Sequence, residues 1–196
     1  MVTSVEELSL REWAVLGLVA EGETHGFAVG RAFAADGAIG RIWTIPRPLV
    51  YRALTSLRAA GLVTETGSVP GVRGPARRLI KVTPKGRAAL RRWLAEPISH
   101  VRDARSELLV KLLLLDRAGR DPVGLLEAQA ARLHPMLAGL RAKLAQSDGF
   151  DATLARWRLT SAEALEGFVA ALITARQACP GSDAPGGGGR PLPNEG

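Results

Sequence analysis

Apolar positions in the first part of the chain follow a helical rhythm. Leu10, Trp13, Ala14, Leu16, Gly17 and Ala20 recur at three- and four-residue steps, which predicts a helix from Ser9 to Ala20. Ser9 suits its N-cap and Glu12 would complete a capping box. Glu21-Gly22-Glu23 breaks the pattern. Thr24-His25-Gly26-Phe27 opens a second helix ending near Ala35, with Phe27 and Phe33 facing in. Asp36 to Thr44 reads as a loop carrying Arg41 and Trp43. A third helix is expected from Arg47 to Gly61, with Leu49, Ala53, Leu54, Leu57 and Ala60 as its apolar stripe. Pro48 fits a first helical turn, where its missing N–H has no intrahelical partner, and Gly61 fits a left-handed C-terminal cap. The opposite face carries Arg47, Tyr51, Thr55 and Arg58, with Arg52 and Ser56 beside them.

The rhythm then shortens. Leu62 to Thr66 has β-branched strand character, Ser68 to Pro75 is rich in glycine and proline, and Ala76 to Val82 reads as the returning strand. Arg73 would sit at the hairpin tip, with Arg77 and Arg78 on the second strand. Thr83-Pro84 opens a fourth helix to about Leu94, and Pro97 ends it. Beyond it, Ser99 to Arg105 is loop-like, and Ser106 to Leu115 forms a short apolar helix. After Asp121-Pro122, Leu126, Ala130, Leu133, Leu137, Leu140 and Leu144 keep the seam spacing of a helix with a partner. Pro135 inside that seam implies a kink, or two helices meeting. A last helix spans about Asp151 to Ala178, with Leu154, Trp157, Leu165, Phe168, Leu172 and Ala175 on one side. The Gly- and Pro-rich end, from 179 to 196, has the composition of a disordered tail.

Charge sharpens this outline. Residues 41–92 hold twelve basic residues and one acid, Glu65, whereas residues 96–196 balance twelve against twelve. A basic block inside an otherwise balanced chain is a footprint for a polyanion. Three helices followed by a hairpin, with charge on the third helix, the hairpin and the next helix start, is the order of a winged helix-turn-helix. Guanidinium groups, hydroxyls and one aromatic ring on the third helix suit base edges and phosphates in a major groove. The bland alternative is a solvated basic face. The fold class expected is therefore mainly α: a winged helix-turn-helix (three helices plus a β-hairpin wing) followed by a helical region.

His25-Gly26-Phe27, Leu49-Val50-Tyr51-Arg52-Ala53-Leu54 with Leu57, Gly61-Leu62-Val63, and Val82-Thr83-Pro84-Lys85-Gly86 together resemble the PadR family of bacterial transcriptional regulators. The resemblance covers about Leu8 to Leu94. Phe27 replaces the family's usual tyrosine, and Pro46-Arg47-Pro48 departs from its usual helix opening. The resemblance implies a helical dimerisation region after the winged helix, with Arg105 to Leu115 and Leu154 to Ala178 as its parts. It also implies a site for a flat aromatic effector beside Trp93, with Trp13 as a second candidate; plain core is the competing reading of both. No other cofactor is expected.

The chemistry of an enzyme is missing from the pattern. His25, His100, His134 and the single Cys179 have no metal-ligand spacing, and no nucleophilic triad, paired carboxylates or phosphate loop stands out. One cysteine forbids an internal disulfide, the start lacks the marks of a secretory signal, and no stretch is apolar enough for a membrane span. A cytoplasmic protein is expected. The domains expected are a flexible N-terminus (1–8), a winged-helix DNA-binding domain (9–97), a helical dimerisation and effector region (98–178) and the tail (179–196). The function expected is a homodimeric repressor that binds a double-stranded DNA operator and is released by a signal. Arg47, Tyr51, Arg52 and Thr55 would face the groove, and Arg73, Arg77, Arg78 and Lys85 would hold phosphates. Leu154, Trp157, Leu165, Phe168 and Leu172 would join the dimer. The alternative is a winged-helix sensor or protein-interaction module without productive DNA binding.

Overall fold

The computed structural model describes residues 8–70 and 76–178. The wing-tip Arg73, residues 1–7 of the expected loose start and the expected disordered tail lie outside the described residues, whereas Leu8 is buried. The fold is mainly α, with α1 at Leu10–Ala20, α2 at Gly26–Ala32, α3 at Arg47–Ala59, α4 at Pro84–Ala95, α5 at Glu107–Arg117, α6 at Val123–Ala145 and α7 at Gly149–Ala178. Three short strands, β1 (Thr24–His25), β2 (Val63–Val69) and β3 (Arg77–Val82), form one antiparallel sheet in the order β1-β3-β2. The described residues divide into two compact units, 8–94 with 109–120, and 95–108 with 121–178.

In the first unit the capping box is present: the Glu12 carboxylate accepts from the Ser9 backbone and hydroxyl, and Ser9 Oγ accepts from the Glu12 N–H. The core side of α3 is Val50, Ala53, Leu54 and Leu57, whose spacing from Val50 is the i, i+3, i+4, i+7 pattern of one helical face. Leu49, expected in that stripe, is only half-buried, because Val50 takes its place at the core. Gly61 adopts φ +70°, the left-handed conformation expected of a cap. Just beyond it, Thr83 Oγ1 donates to the carbonyls of Gly61 and Leu62 and accepts from the Gly86 N–H. A Cβ at Gly86 would lie 2.1 Å from the Leu62 carbonyl oxygen, so only glycine lets α4 approach this closely.

Two expectations about α2 change. Thr24 and His25 pair with β3 and start the sheet rather than the helix, and α2 ends at Ala32 rather than near Ala35. Phe33 is fully buried as expected, but Phe27 is 36% exposed. Residues 109–117 of α5 pack within the first unit, where Lys111 Nζ lies 4.8 Å from the Trp93 ring and Arg117 makes two 2.6 Å bonds to the Glu21 carboxylate.

In the second unit α6 and α7 pack together, and buried Gln129 of α6 accepts from the Ile98 N–H at 2.8 Å. Helix α6 runs unbroken through Pro135, so the two-helix reading of that stretch is overturned. Proline removes its own N–H bond to the carbonyl four residues back. Both Pro135 and Ala131 are exposed, so water can solvate the carbonyl that loses its partner.

Candidate nucleic-acid interface

The helix and the wing present their polar faces to one cleft. Tyr51, Leu54, Thr55 and Arg58 from α3, His25 to Phe27 from the start of α2, and Val63 to Glu65, Arg77, Arg78 and Ile80 from the wing line a space of about 580 Å³. The His25-Gly26-Phe27 segment contributes to the same lining. His25 Nδ1 accepts from the Ala28 N–H at 3.1 Å and so caps α2. Burial, and then the Arg77 guanidinium, hold the His25 pKa below its ordinary value. That neutral state leaves Nδ1 free to accept. At Gly26 a Cβ would lie 2.6 Å from the Tyr51 ring, so the missing side chain seats the tyrosine against the start of α2.

Phe27 explains its own exposure. Arg47, at the start of α3, places its guanidinium 5.0 Å from the Phe27 ring centre, and Arg77 on β3 places its own 4.9 Å away. The electron-rich face of a ring attracts a cation, by about 0.5–1 kcal/mol at an exposed site. Phe27 therefore joins α3 to the wing through two arginines and is not a core residue. The tyrosine ring at 51 is 50% exposed, and Thr55 Oγ1 donates back to the Tyr51 carbonyl at 3.1 Å.

The remaining expected DNA contacts spread around this cleft. Arg52 is exposed but does not line it. Lys85 Nζ donates to the Ala60 carbonyl at 2.9 Å, which gives it a structural task at the C-terminal end of α3, where a cation suits the helix dipole. Ser56, expected on the polar face, is half-buried and bonds to Glu12. Burial pushes the Glu12 pKa up, but hydrogen bonds from Ser56 and Ser9 more than offset it and leave the carboxyl below its ordinary value.

Residues 15–92 match the model of the transcriptional regulator PadR-like family. The probable transcriptional regulator Rv1176c of Mycobacterium tuberculosis is 30% identical over 138 residues, covering 68% of this chain and 69% of that protein. The chain belongs to the PadR-like family of transcriptional regulators. The solved structures include a similar chain, Bacillus subtilis PadR in complex with operator DNA, at 17% identity and TM-score 0.42, covering 83% of this chain and 97% of that one. The PadR-like family is one of regulators and not of enzymes. Among the described residues no helix is long and apolar enough to cross a membrane.

Outside the cleft of this PadR-like chain lie the residues expected at the effector site and in the dimer. Trp13 and Trp93 are 9% and 6% exposed and stack on each other at 5.2 Å with their planes 4° apart, and the Lys111 ammonium lies over Trp93. The two indoles are therefore in contact with each other and with Lys111. On α7, Leu165 is buried and Leu154 and Leu172 are half-buried, whereas Trp157, Phe168 and Phe150 are 70%, 40% and 78% exposed. Ala155, Leu159, Ala162 and Val169 join Leu165 on the buried face of the helix. Periodicity identified the apolar stripe but could not say which of its members the chain already covers.

Proposed function

We propose that this PadR-like protein is a homodimeric, cytoplasmic repressor that places α3 in the major groove of an operator and lays its wing along the adjacent backbone. The observation that carries the reading is the shared cleft, in which Tyr51, Thr55 and Arg58 of α3 face Arg77 and Arg78 of the wing. Arg47, Tyr51, Arg52 and Thr55 would meet base edges or groove phosphates, and Arg77 and Arg78 would hold phosphates from the wing side. Lys85 is left out of the phosphate set because its ammonium already serves the end of α3. Dimerisation is supported by the exposed rings of Trp157, Phe168 and Phe150 along α7, an apolar stripe that invites a partner helix. A dimer reads two half-sites about one helical turn apart, so a signal that alters the spacing of the two winged helices would release the DNA.

The test is a fluorescence-anisotropy titration against DNA from upstream of the protein's own gene, at two salt concentrations. Tight binding that survives excess mixed-sequence DNA is the expected result. Binding that disappears with competitor would overturn operator recognition and favour a sensor or protein-partner role for the winged helix.

A further inference from the structure

The one acid of the basic segment 41–92 is not at its margin but at its centre. Glu65 projects from β2 into the cleft between wing and α3. Arg58, in the last turn of α3, donates to Glu65 Oε1. From β3, Arg78 Nη1 lies 3.1 Å from Oε1 and 3.2 Å from Oε2. Ile80 is the cross-strand partner of Glu65, and Arg78 stands two residues away on the same face of β3. A β-bulge follows at once, between Glu65 and Gly67, and Thr66 within it donates to Glu23 Oε1 at 2.6 Å. Bulges re-aim side chains, and this one is tied down by a bond from outside the hairpin.

The three side chains are a third to two-thirds exposed, so water and salt screen the pairs and their contribution to folding is small. Their geometry has another consequence. Two guanidinium groups, one from each of the elements proposed to touch DNA, converge on a single oxyanion. Bidentate and paired guanidinium groups suit phosphate and carboxylate alike, because both offer adjacent anionic oxygens. We propose that Arg58 and Arg78 form a seat for one DNA backbone phosphate, and that the Glu65 carboxylate occupies it in the free protein. The inference rests on the DNA-binding reading above and deepens it, since it adds Arg58 to the phosphate contacts and gives Glu65 a role of its own. A phosphate entering the seat must displace the carboxylate, which then faces the DNA without its partners. Glu65 thereby weakens binding to every duplex alike, operator or not, and keeps a strongly basic surface from being held by nonspecific polyanions. The Glu65 carboxyl, held below its ordinary pKa first by the hydrogen bond from Arg78 and then by both positive charges, would return toward that value once the arginines turn to phosphate.

The experiment measures binding of wild type, Glu65→Gln, Arg58→Ala and the double variant to operator and mixed-sequence duplexes across salt. Glu65→Gln should tighten binding to both duplexes on the order of tenfold and steepen the log–log salt slope by about one to two, with the ratio between the duplexes unchanged. Arg58→Ala should flatten the slope by about one, and in that background Glu65→Gln should gain less. In wild type, ¹³C-detected titration of the Glu65 carboxyl should show its pKa rising when mixed-sequence DNA is added. Glu65→Gln with wild-type affinity and slope, or with weaker binding, would overturn the seat while leaving DNA binding intact. A carboxyl that titrates identically with and without bound DNA would do the same without recourse to any variant. Wild type that binds no duplex would overturn the DNA reading and the seat together.

Discussion

Single residues carry much of the coupling between helix and wing. Phe27 holds Arg47 and Arg77 on one ring, so removing the ring should release both cations without opening the core. Phe27→Leu is expected to weaken DNA binding by up to roughly five- to thirtyfold, the equivalent of two exposed cation–π contacts, whereas Phe27→Tyr should bind like wild type. Anisotropy titration of both variants checks this, with thermal melting as the control for folding. Titration also has a definite sign here. The folded pKa values of His25 and Glu12 both lie below their ordinary values of 6.5 and 4.5. The unfolded chain therefore takes up protons first as pH falls. Stability is full above about pH 6.5, declines as pH drops through the folded His25 value, and declines again below the carboxylate range. Urea midpoints measured from pH 8 to pH 4 should show this fall. In His25→Asn, which keeps an N-cap acceptor but does not titrate, the first step should be absent.

Among the elements, the junction of α3, β2 and α4 is the tightest. Thr83 serves three backbone groups there, Lys85 serves a fourth, and Gly86 leaves no room for a methyl group against Leu62. Gly86→Ala should destabilise the protein by about 1–3 kcal/mol, the usual cost of overpacking, through displacement of α4 from the end of α3. Chemical denaturation would measure it, and a loss below about 0.5 kcal/mol would mean that α4 shifts freely. The Thr-Pro-Lys-Gly run thus has a physical reading in which each member does a separate job at the base of the wing. Helix α6 makes the opposite point: a proline in its interior is tolerated because the carbonyl it orphans faces solvent.

For the molecule as a whole, the exposed apolar stripe of α7 is the surface that the proposed pairing would cover. One face of α7 is buried in the single chain, while Trp157, Phe168 and Phe150 stand exposed on the helix. Trp157→Glu would place a charge in the proposed pairing surface, where desolvating it without a partner is costly. The dimer dissociation constant should rise at least about thirtyfold, a typical hot-spot loss, while the melting profile of the monomer changes little. Analytical ultracentrifugation reads the first and circular dichroism the second. DNA affinity should fall in parallel, because one winged helix reading one half-site loses the register that pairing supplies.

The order of the α-helices and of the two wing strands, the Ser9–Glu12 capping box, the Gly61 cap, the Thr83-Pro84 helix start and the basic segment were readable from residues alone, because each depends on neighbours a few positions away. So was membership of a winged-helix family, since its motifs are local. What needed tertiary structure were the contacts between positions distant in sequence. Phe27 was expected in the core because a large ring in an amphipathic pattern ordinarily goes there, and only the convergence of arginines twenty and fifty positions on makes its surface place intelligible. Ser56 faces Glu12 of another helix, Trp13 stacks on Trp93, and residues 109–117 of α5 belong with the N-terminal unit for the same reason. Glu65 was visible in the sequence only as a lone acid in a basic stretch; its place between Arg58 and Arg78 arises when the wing folds back beside α3. Local rhythm and charge determine which elements form, but packing decides which groups meet, because meeting is a property of distances in space that chain spacing does not encode.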